Sequence, residues 1–402
     1  MALDRTEDSR ESPLDRELRT TLEELERGAL RRHLRIVESA HGTHVTIGGR
    51  RLLMLSSNNY LGLAAHPALC RAATEAIERY GVGAGASRLI AGSLAPLHEL
   101  EAKLARLKGV ESALVFGSGF LANLGTITAL TGPGDTVFSD ELNHASLIDG
   151  CRLSKAALRI YRHRDSAHLH ELLADSPAGG RRLIVTDSVF SMDGDFAPLA
   201  AIVDLARQHR AAVMIDEAHG VGVVGPRGAG LAAHLGLERQ IDVHVGTLSK
   251  ALGSYGAYVA GSRTLIDFLL NRARSFIYST GLAPAMAAAA GAALDLIESS
   301  PELIARLWEN GEYLRDGFNS LGFKLAPTES PILPVMIGES DAALKMAAAL
   351  HERGVYVIAI RPPTVPRATA RLRVTPIASH TRGDLDQALE AFRSSGRELG
   401  LL

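Results

Sequence analysis

The sequence predicts an α/β fold, in which a mostly parallel sheet carries helices on both faces and a smaller α+β domain follows toward the C-terminal end. Between residues 67 and 260, short apolar segments alternate with segments of helical periodicity, the pattern of parallel strands joined by helices. From about residue 300 the pattern becomes a mixture of helices and strands. In open sheets of this kind ligands bind at the carboxyl ends of the strands, so polar residues there are the first candidates for a functional site.

The segment before the sheet predicts an N-terminal arm. Leu, Glu and Arg recur at helical spacing over residues 14–37, which indicates an amphipathic helix. Residues 43–55 alternate around Gly48-Gly49, a pair that favours a hairpin turn. We therefore divide the chain into an N-terminal arm of helix and hairpin (1–60), a large domain (61–299) and a small C-terminal domain (300–402).

Hydrophobic periodicity predicts the elements of both domains in order. In the large domain it predicts helices over 67–80, 96–107, 119–130, 145–153, 167–174 and 198–208, and strands over 112–116, 136–139, 157–161, 183–186, 213–216, 243–247 and 256–260. In the small domain it predicts strands over 332–337, 355–360 and 370–374, and helices over 340–353 and 382–396.

Composition narrows the class of protein. With 402 residues, of which 46% are hydrophobic and 22% charged, the chain can bury the cores of two or three domains. A net charge of −2 gives no electrostatic footprint for nucleic acid or an anionic membrane surface. The charged start, residues 1–19, does not match a secretory signal, and the apolar stretch 283–294 is too short to span a bilayer. We expect a cytoplasmic protein with reduced thiols at Cys70 and Cys151 and no metal site.

The most informative segment is Thr247-Leu248-Ser249-Lys250, which follows the apolar segment 241–246. It presents a lysine at the end of a predicted buried strand. In an apolar, glycine-rich setting the ammonium form is disfavoured, so the neutral amine becomes a usable nucleophile toward an aldehyde. The hydroxyls of Thr247 and Ser249 are donors suited to a phosphate.

A carboxylate follows another predicted strand, where the apolar segment 212–215 leads into Asp216 and then His219. A lysine and a carboxylate at strand ends are what pyridoxal phosphate requires, because the lysine attaches the cofactor and the carboxylate keeps its ring nitrogen protonated. Alternatives are a metal-site fragment or the acidic box of a nucleotide hydrolase. The chain contains neither a His-Glu-x-x-His helix motif nor a Gly-x-x-x-x-Gly-Lys-Ser/Thr loop, so the cofactor interpretation is favoured.

Three further segments follow predicted strands. Gly119 and Phe120 open a helix whose free N–H groups suit a phosphate, although a glycine turn before a helix also occurs for packing alone. His144 at a strand end can stack on a pyridine ring, although a loop histidine is more often merely solvated. Ser191 is a candidate donor to a phenolic oxygen, although the hydroxyls of its segment could instead cap the next helix.

Taken together, these motifs resemble those of the α-oxoamine synthases, which are fold-type I pyridoxal-phosphate enzymes related to aspartate aminotransferase. The resemblance extends from about residue 20 to residue 395. It is carried by Ser57-Asn58-Asn59-Tyr60-Leu61-Gly62-Leu63, Gly85-Ala86-Ser87-Arg88, Ser118-Gly119-Phe120-Leu121-Ala122-Asn123, His144-Ala145-Ser146, Val189-Phe190-Ser191-Met192-Asp193-Gly194-Asp195, Asp216-Glu217-Ala218-His219-Gly220, Thr247-Leu248-Ser249-Lys250 and Arg361-Pro362-Pro363-Thr364-Val365-Pro366.

The resemblance implies a role for each matching residue. Lys250 would attach the cofactor, Asp216 would pair with its ring nitrogen, and His144 would stack on the ring. The remaining cofactor contacts would come from His219 and Ser191 at the phenolic oxygen and from Gly119, Phe120 and Thr247, with Ser279 and Thr280 from the neighbouring subunit of a homodimer. Substrate contacts would come from Arg373 and Arg361 at the amino-acid carboxylate, from Arg31 and Thr364 at the acyl group, and from Asn58 and Tyr60 toward the neighbouring site.

The resemblance also implies an activity. With Ala370-Arg371-Leu372-Arg373, the last motif is most similar to that of the family member which condenses L-alanine with a pimeloyl thioester in biotin biosynthesis. The acyl carrier, coenzyme A or an acyl-carrier protein, stays open. Glycine C-acetyltransferase or another α-oxoamine synthase is an alternative within the family, and an aminotransferase is an alternative within the fold. A non-catalytic carrier of pyridoxal phosphate is disfavoured because the lysine, the aspartate and both histidines are present.

Overall fold

The N-terminal arm consists of a helix and a hairpin. The structure, a computed structural model, describes residues 12–177 and 179–402, so the first residues of the predicted arm, 1–11, lie outside the described residues. Helix α1 (Pro13–Arg27) is shorter than the predicted helix over 14–37 because Gly28 follows its last turn and Ala29 adopts a positive φ of 52°. Strands β1 (His44–Ile47) and β2 (Arg50–Met54) form the predicted hairpin.

A seven-stranded sheet forms the centre of the molecule and confirms the predicted fold class. All seven predicted strands are found within one residue at each end. Their order across the sheet is β3-β9-β8-β7-β6-β4-β5, and β9 alone runs antiparallel to its neighbours. The strands are β3 (Ser112–Phe116), β4 (Thr136–Asp140), β5 (Ala157–Tyr161), β6 (Arg182–Asp187), β7 (Ala212–Asp216), β8 (Val243–Thr247) and β9 (Ala257–Gly261).

Helices cover both faces of this sheet. Successive residues of a strand point to opposite faces, and Val213 and Ile215 of β7 accordingly belong to one buried cluster while Met214 belongs to the other. The six helices that the sequence predicts here are α2 (Pro67–Tyr80), α3 (Ala95–Lys108), α4 (Gly119–Leu130), α5 (Ala145–Ser154), α6 (Ser166–Ala174) and α7 (Leu199–His209). Four that it did not predict are α8 (Leu231–His234), α9 (Arg263–Arg272), α10 (Arg274–Ile277) and α11 (Pro284–Ser299).

The apolar stretch 283–294 is part of α11, which packs against α2 and α3. Its side chains, such as Ala290 and Ala293, are buried in the larger of the two clusters. Over the described ranges, none of the helices combines the length and the apolar character needed to cross a membrane.

The C-terminal part is a smaller α+β unit. It contains α12 (Glu302–Leu321), β10 (Leu333–Gly338), α13 (Ser340–Glu352), β11 (Val355–Tyr356), β12 (Ala359–Ile360), β13 (Ala370–Val374) and α14 (Arg382–Glu398). The single strand predicted over 355–360 is wrong. Its first residues pair with β2 of the hairpin and its last residues pair with β13, so the chain changes sheets between them.

The hairpin packs with this C-terminal unit. Leu53 and Leu55 lie in one buried cluster with Leu314, Phe318 and Phe392. The division into three parts at residues 60 and 300 stays a prediction, and the hairpin of its first part shares a core with its third.

Candidate active site

Polar residues from the carboxyl ends of several strands line one cleft at the edge of the central sheet. β6 ends at Asp187 and β7 at Asp216, and the strand register places these two residues side by side. β8 ends at Thr247, and the turn that follows it carries Lys250. The cleft has two adjoining parts of about 230 and 340 Å³, which share the lining residues His144, Ser191, His219 and Lys250.

Lys250 extends into this cleft. Its Nζ lies 2.7 Å from Nε2 of His219. Burial lowers the pKa of Lys250 to about 8, although the carboxylates of Asp216 and Asp187 act in the opposite direction. An appreciable fraction of the amine is therefore uncharged near neutral pH and available as a nucleophile.

Asp216 is buried at the end of β7 and receives two hydrogen bonds. The amide of Asn123 donates to its Oδ2 at 2.6 Å, and the N–H of Ala218 donates to its Oδ1 at 2.8 Å. Asn123 lies within α4, and its amide also donates to Ser146 Oγ at 2.9 Å. These contacts fix the orientation of the carboxylate, as a partner for a ring nitrogen requires.

A chain of hydrogen bonds runs from Lys250 to Arg373. Nδ1 of His219 lies 2.6 Å from Oη of Tyr60. Arg373 donates to Tyr60 Oη at 3.0 Å and to Asn58 Oδ1 at 3.1 Å. Burial lowers the pKa of His219 well below its ordinary value, and the positive charges of Lys250 and Arg373 add to this effect. The imidazole is therefore neutral at physiological pH.

Asn58 and Tyr60, which the resemblance assigns to the neighbouring subunit's site, line or contact the cleft of this chain, and their role across an interface stays a prediction. The reason lies in the path of the chain after β2. Ser56 donates from its hydroxyl to the carbonyl of Arg373 at 3.0 Å and forms a bridge with Thr375, so the segment after β2 runs beside β13.

His144 stands at the start of α5, exposed to the cleft. Its N–H donates to Asp187 Oδ2 at 2.7 Å, and its Nδ1 lies 2.7 Å from Ser146 Oγ. Burial against the cleft wall lowers the pKa of His144, the charge of Asp216 raises it and that of Lys250 lowers it further. The net lowering leaves the ring neutral near pH 7, able to stack on an aromatic group or to accept a proton.

The N-terminus of α4 forms part of the cleft wall. Gly119 and Phe120 line the cleft, and the side chain of Ser118 caps the helix. A Cβ placed on Gly119 would meet nothing within 4 Å, so open space adjoins the free N–H groups of the first turn. Thr247 lines the same part of the cleft, with its hydroxyl donating to the carbonyl of Gly256 at 3.0 Å.

Ser191 and Arg373 meet at the other side of the cleft. Nε of Arg373 donates to the carbonyl of Ser191 at 2.5 Å, and Ser191 lines both parts of the cleft. The guanidinium itself lines the larger part of the cleft. A guanidinium held in this way can bind a carboxylate in bidentate fashion.

Ser279 and Thr280 lie outside the residues that line this cleft. Thr280 is exposed and pairs with Ser87 in an isolated bridge. Neither residue contacts Lys250 of this chain. Their placement is compatible with a role at the cleft of a second subunit.

Arg31, Arg361 and Thr364 also lie away from Lys250. Arg31 pairs with Glu26 at 3.6 Å, and Arg361 donates to the carbonyl of Ala29. Thr364 lines a third cavity of about 430 Å³, which shares Ser191 and Met192 with the cleft. Its hydroxyl accepts a hydrogen bond from Arg32 at 3.2 Å, so the arginine that reaches Thr364 is the neighbour of the predicted one.

Sequence reasoning missed Asn123, Ser146 and Asp187 as site residues. Asn123 and Ser146 stand inside motifs quoted above, and Asp187 precedes the Val189–Asp195 motif by two residues. The sequence signal for them was a polar side chain within an apolar helix or at a strand end. Such a side chain is buried and therefore forms hydrogen bonds with its neighbours.

Comparison with known proteins identifies the family. Residues 50–392 match the model of the family described as "Aminotransferase class I and II". The chain belongs to this family.

Within it, curated relatives share about half of their residues with this chain over nearly its whole length. A protein of Geobacter sulfurreducens named 8-amino-7-oxononanoate synthase is 50% identical over 392 residues, 97% of this chain and 100% of its own. A protein of the same name from Anaeromyxobacter dehalogenans is 52% identical over 371 residues, 92% of this chain and 93% of its own.

Solved structures agree on the fold. A serine palmitoyltransferase from S. paucimobilis, solved with a bound PLP–myriocin aldimine, superposes with a TM-score of 0.92 at 33% identity, covering 97% of this chain and 100% of that one. An 8-amino-7-oxononanoate synthase from Francisella tularensis superposes with a TM-score of 0.74 at 28% identity, covering 86% and 98%.

The residues of the cleft fit pyridoxal phosphate. The buried amide of Asn123 orients a carboxylate, an amine of lowered pKa stands across the cleft, and a helix N-terminus faces open space. These are the partners that a ring nitrogen, an aldehyde and a phosphate need.

Proposed function

We propose that this chain catalyses the decarboxylative condensation of L-alanine with a pimeloyl thioester, as an 8-amino-7-oxononanoate synthase of biotin biosynthesis. The products are 8-amino-7-oxononanoate, carbon dioxide and the free carrier thiol. The observation that carries the proposal is the agreement of relatives at 47–52% identity, all named for this activity, with a cleft in which a lysine, an aspartate and an arginine converge.

In this proposal the cleft holds pyridoxal phosphate through its own side chains. Lys250 attaches the cofactor, Asp216 pairs with the ring nitrogen and His144 covers the ring. Ser191 and His219 donate to the phenolic oxygen, while Gly119, Phe120 and Thr247 face the phosphate, joined by Ser279 and Thr280 of a second subunit. When bound, the cofactor supplies an electron sink for negative charge at the substrate's α-carbon.

Side chains of the protein bind the substrate and move its protons. Arg373 holds the carboxylate of L-alanine, and its bond to Ser191 keeps the guanidinium in place. Nζ of Lys250, uncharged above about pH 8, takes the α-proton. His144 assists at the carbonyl of the thioester, and the carboxylate held by Arg373 leaves as carbon dioxide.

The acyl group enters from the side of Thr364 in this proposal. The third cavity adjoins the cleft through Ser191 and Met192, so an extended chain could lie there with its thioester near Lys250. Arg31 and Arg361 contribute at the rim, through the segment that contacts Thr364. We further propose a cytoplasmic homodimer, with coenzyme A or an acyl-carrier protein as the acyl carrier.

The test is an assay of carbon dioxide released from carboxyl-labelled alanine. We expect release with pimeloyl thioester and none without it. An aminotransferase would instead convert alanine to pyruvate with a keto acid as acceptor, and a cofactor carrier would do neither.

The acyl group decides between members of the family. Glycine with acetyl-CoA and serine with palmitoyl-CoA should give much slower release than alanine with pimeloyl thioester. Equal or faster release with either pair would overturn the assignment to biotin biosynthesis while leaving the roles of Lys250 and Asp216 standing.

A further inference from the structure

Tyr60 occupies an unusual position among the residues around Lys250. Its side chain is 1% exposed, and its hydroxyl lies between His219 and Arg373. Among the described residues, these two are its hydrogen-bond partners. A buried hydroxyl without a partner for its proton is costly, so the direction of each bond is constrained.

The chemistry of the two partners fixes these directions. The guanidinium of Arg373 has donors only, so Tyr60 Oη accepts from it. The proton of the Tyr60 hydroxyl must therefore go to Nδ1 of His219. Burial raises the pKa of Tyr60, so the hydroxyl keeps this proton. In a neutral imidazole whose Nδ1 accepts, Nε2 carries the hydrogen.

Nε2 of His219 faces Nζ of Lys250 at 2.7 Å. A hydrogen on Nε2 needs a lone pair opposite it, and only the uncharged amine has one. A charged ammonium would instead require Nε2 to accept, which would turn the hydrogen to Nδ1 and leave the Tyr60 proton without an acceptor. The state of Tyr60 and the charge of Lys250 are thus coupled through one imidazole ring.

We propose that Tyr60 is a positioning residue which, by donating its hydroxyl proton to His219 Nδ1, turns the Nε2–H of His219 toward Lys250 and favours the uncharged amine. This deepens the proposed function and rests on it only for the consequence in catalysis. The same Nε2–H is the group that would face the phenolic oxygen of the cofactor. Arg373, which donates a hydrogen bond to the Tyr60 hydroxyl, connects Tyr60 and His219 to the proposed carboxylate site.

The test measures the charge of Lys250 without any substrate. Cofactor-free protein is mixed with pyridoxal phosphate at a series of pH values, the product is trapped with borohydride, and the label on Lys250 is quantified by mass spectrometry. The other titratable and charged groups that face Lys250, namely Asp216, Asp187, His144 and Arg373, are the same in all variants.

Native protein should show a rate midpoint near pH 8. Tyr60→Phe removes the hydroxyl alone, so His219 Nε2 becomes free to accept from the ammonium, and the midpoint should rise by about one pH unit. The matched control is Tyr258→Phe, since Tyr258 is 0% exposed and its hydroxyl has no hydrogen-bond partner among the described residues. Its midpoint should equal that of the native protein.

An unchanged midpoint in Tyr60→Phe would overturn the proposal. A second measurement does not use that variant and tests the proposal even if Tyr60→Phe folds poorly. In cofactor-free protein of native sequence at pH 9, imidazole ¹⁵N spectra should show His219 as the Nε2–H tautomer, identified by the signal lost in His219→Asn. A dominant Nδ1–H tautomer would contradict the coupling. Neither measurement uses alanine or a thioester, so failure here is distinct from failure of the proposed function.

Discussion

Lys250 and Asp216 lie on neighbouring strand ends of one sheet but meet different constraints. Lys250 reaches the cleft from a turn and has a pKa lowered to about 8 by burial. Asp216 sits on the strand itself, held by the amide of Asn123 and the N–H of Ala218. Burial makes the Lys250 amine reactive, whereas hydrogen bonds fix the orientation of the Asp216 carboxylate. Substitutions at the two positions should therefore impair different steps of the reaction.

Replacing Lys250 with Ala should leave pyridoxal phosphate bound without a covalent link and abolish turnover. The contacts proposed for Asp216, His144 and Gly119 remain in this variant, so binding survives while the nucleophile and base are lost. Absorbance after gel filtration measures retention of the cofactor. In native protein borohydride should fix the label on Lys250, with exposed Lys155 as the internal comparison. A label on Lys155 instead would place the site elsewhere.

Replacing Asp216 with Asn removes a charge at nearly constant volume. We expect kcat to fall by at least about 100-fold, because the electron sink depends on a protonated ring nitrogen, while cofactor affinity falls much less. Asp216→Glu, which keeps the charge but moves it, is the comparison and should retain more turnover. Steady-state kinetics with an equilibrium titration of the cofactor separates the effects. Near-native kcat in Asp216→Asn would remove Asp216 from the mechanism.

At the scale of elements, His163 connects two of the loops that carry site residues. It follows β5, and its ring nitrogens lie 3.0 Å from Asp140 and 2.9 Å from Asp195. Asp140 ends β4 and so adjoins the segment of His144, and Asp195 closes the loop of Ser191. A charged imidazole therefore forms ion pairs with carboxylates of both loops and holds the loops together.

The stabilisation from these ion pairs of His163 should depend on pH. Burial lowers the pKa of His163, but the hydrogen bonds and charges of Asp140 and Asp195 outweigh it and raise that pKa to about 9. Because the folded-state pKa is above the unfolded value, the stabilisation is fully present below about pH 6.5 and is lost as pH rises through 9. His163→Gln should therefore lower the free energy of unfolding by about 2 kcal/mol at pH 6 and by much less at pH 10.

Urea unfolding of both proteins at these pH values measures the difference. Arg164, which also contacts Asp195 at 3.2 Å, remains in both. His170→Gln, a change at an exposed position of α6 whose ring lies 3.1 Å from that of His209, serves as the control for loss of a surface histidine. A difference between native protein and His163→Gln that stays constant from pH 6 to pH 10 would rule out a charged His163.

Local pattern was enough to predict the sheet but not the contacts between distant segments. The strands of the central sheet are short apolar runs with polar ends, so their bounds follow from periodicity alone. The break between β11 and β12 does not, because it depends on which sheet each pair of residues joins. Likewise Glu217, next to Asp216, forms a fully buried ion pair with Lys108 of α3, a partner that no local pattern indicates.

The site shows the same division. Lys250, Asp216, His219 and His144 could be predicted because each follows an apolar strand. Tyr60 could not be assigned to this chain's cleft, since its position depends on the pairing of the segment after β2 with β13. Chain order does not reveal that contact.

At the scale of the whole molecule, two large aromatic side chains next to proposed site residues are exposed. Phe120 is 42% exposed at the helix that faces the proposed phosphate, and Tyr278, next to Ser279, is 72% exposed. A second copy of the chain, bringing Ser279 and Thr280 to the cleft of its partner, is the arrangement we propose.

Mixing two inactive variants tests whether the sites of such a dimer are shared between subunits. One variant carries Lys250→Ala, and the other carries Ser279→Ala with Thr280→Val. If residues 279 and 280 serve the partner's cleft, a mixed dimer contains one site with a native lysine and native hydroxyls and one site lacking both. Because equal mixing gives half mixed dimers with one good site each, activity should return to about a quarter of native after subunit exchange.

Two controls complete this experiment. The variants are mixed after brief exposure to low urea, which permits exchange, and also without it, where little activity should return. A mixture of Lys250→Ala with Asp216→Asn gives the comparison for residues of one cleft, since both act in the same subunit and no combination rebuilds a site. If the first mixture stays as inactive as this one, Ser279 and Thr280 do not act across an interface, and each cleft is built from a single chain.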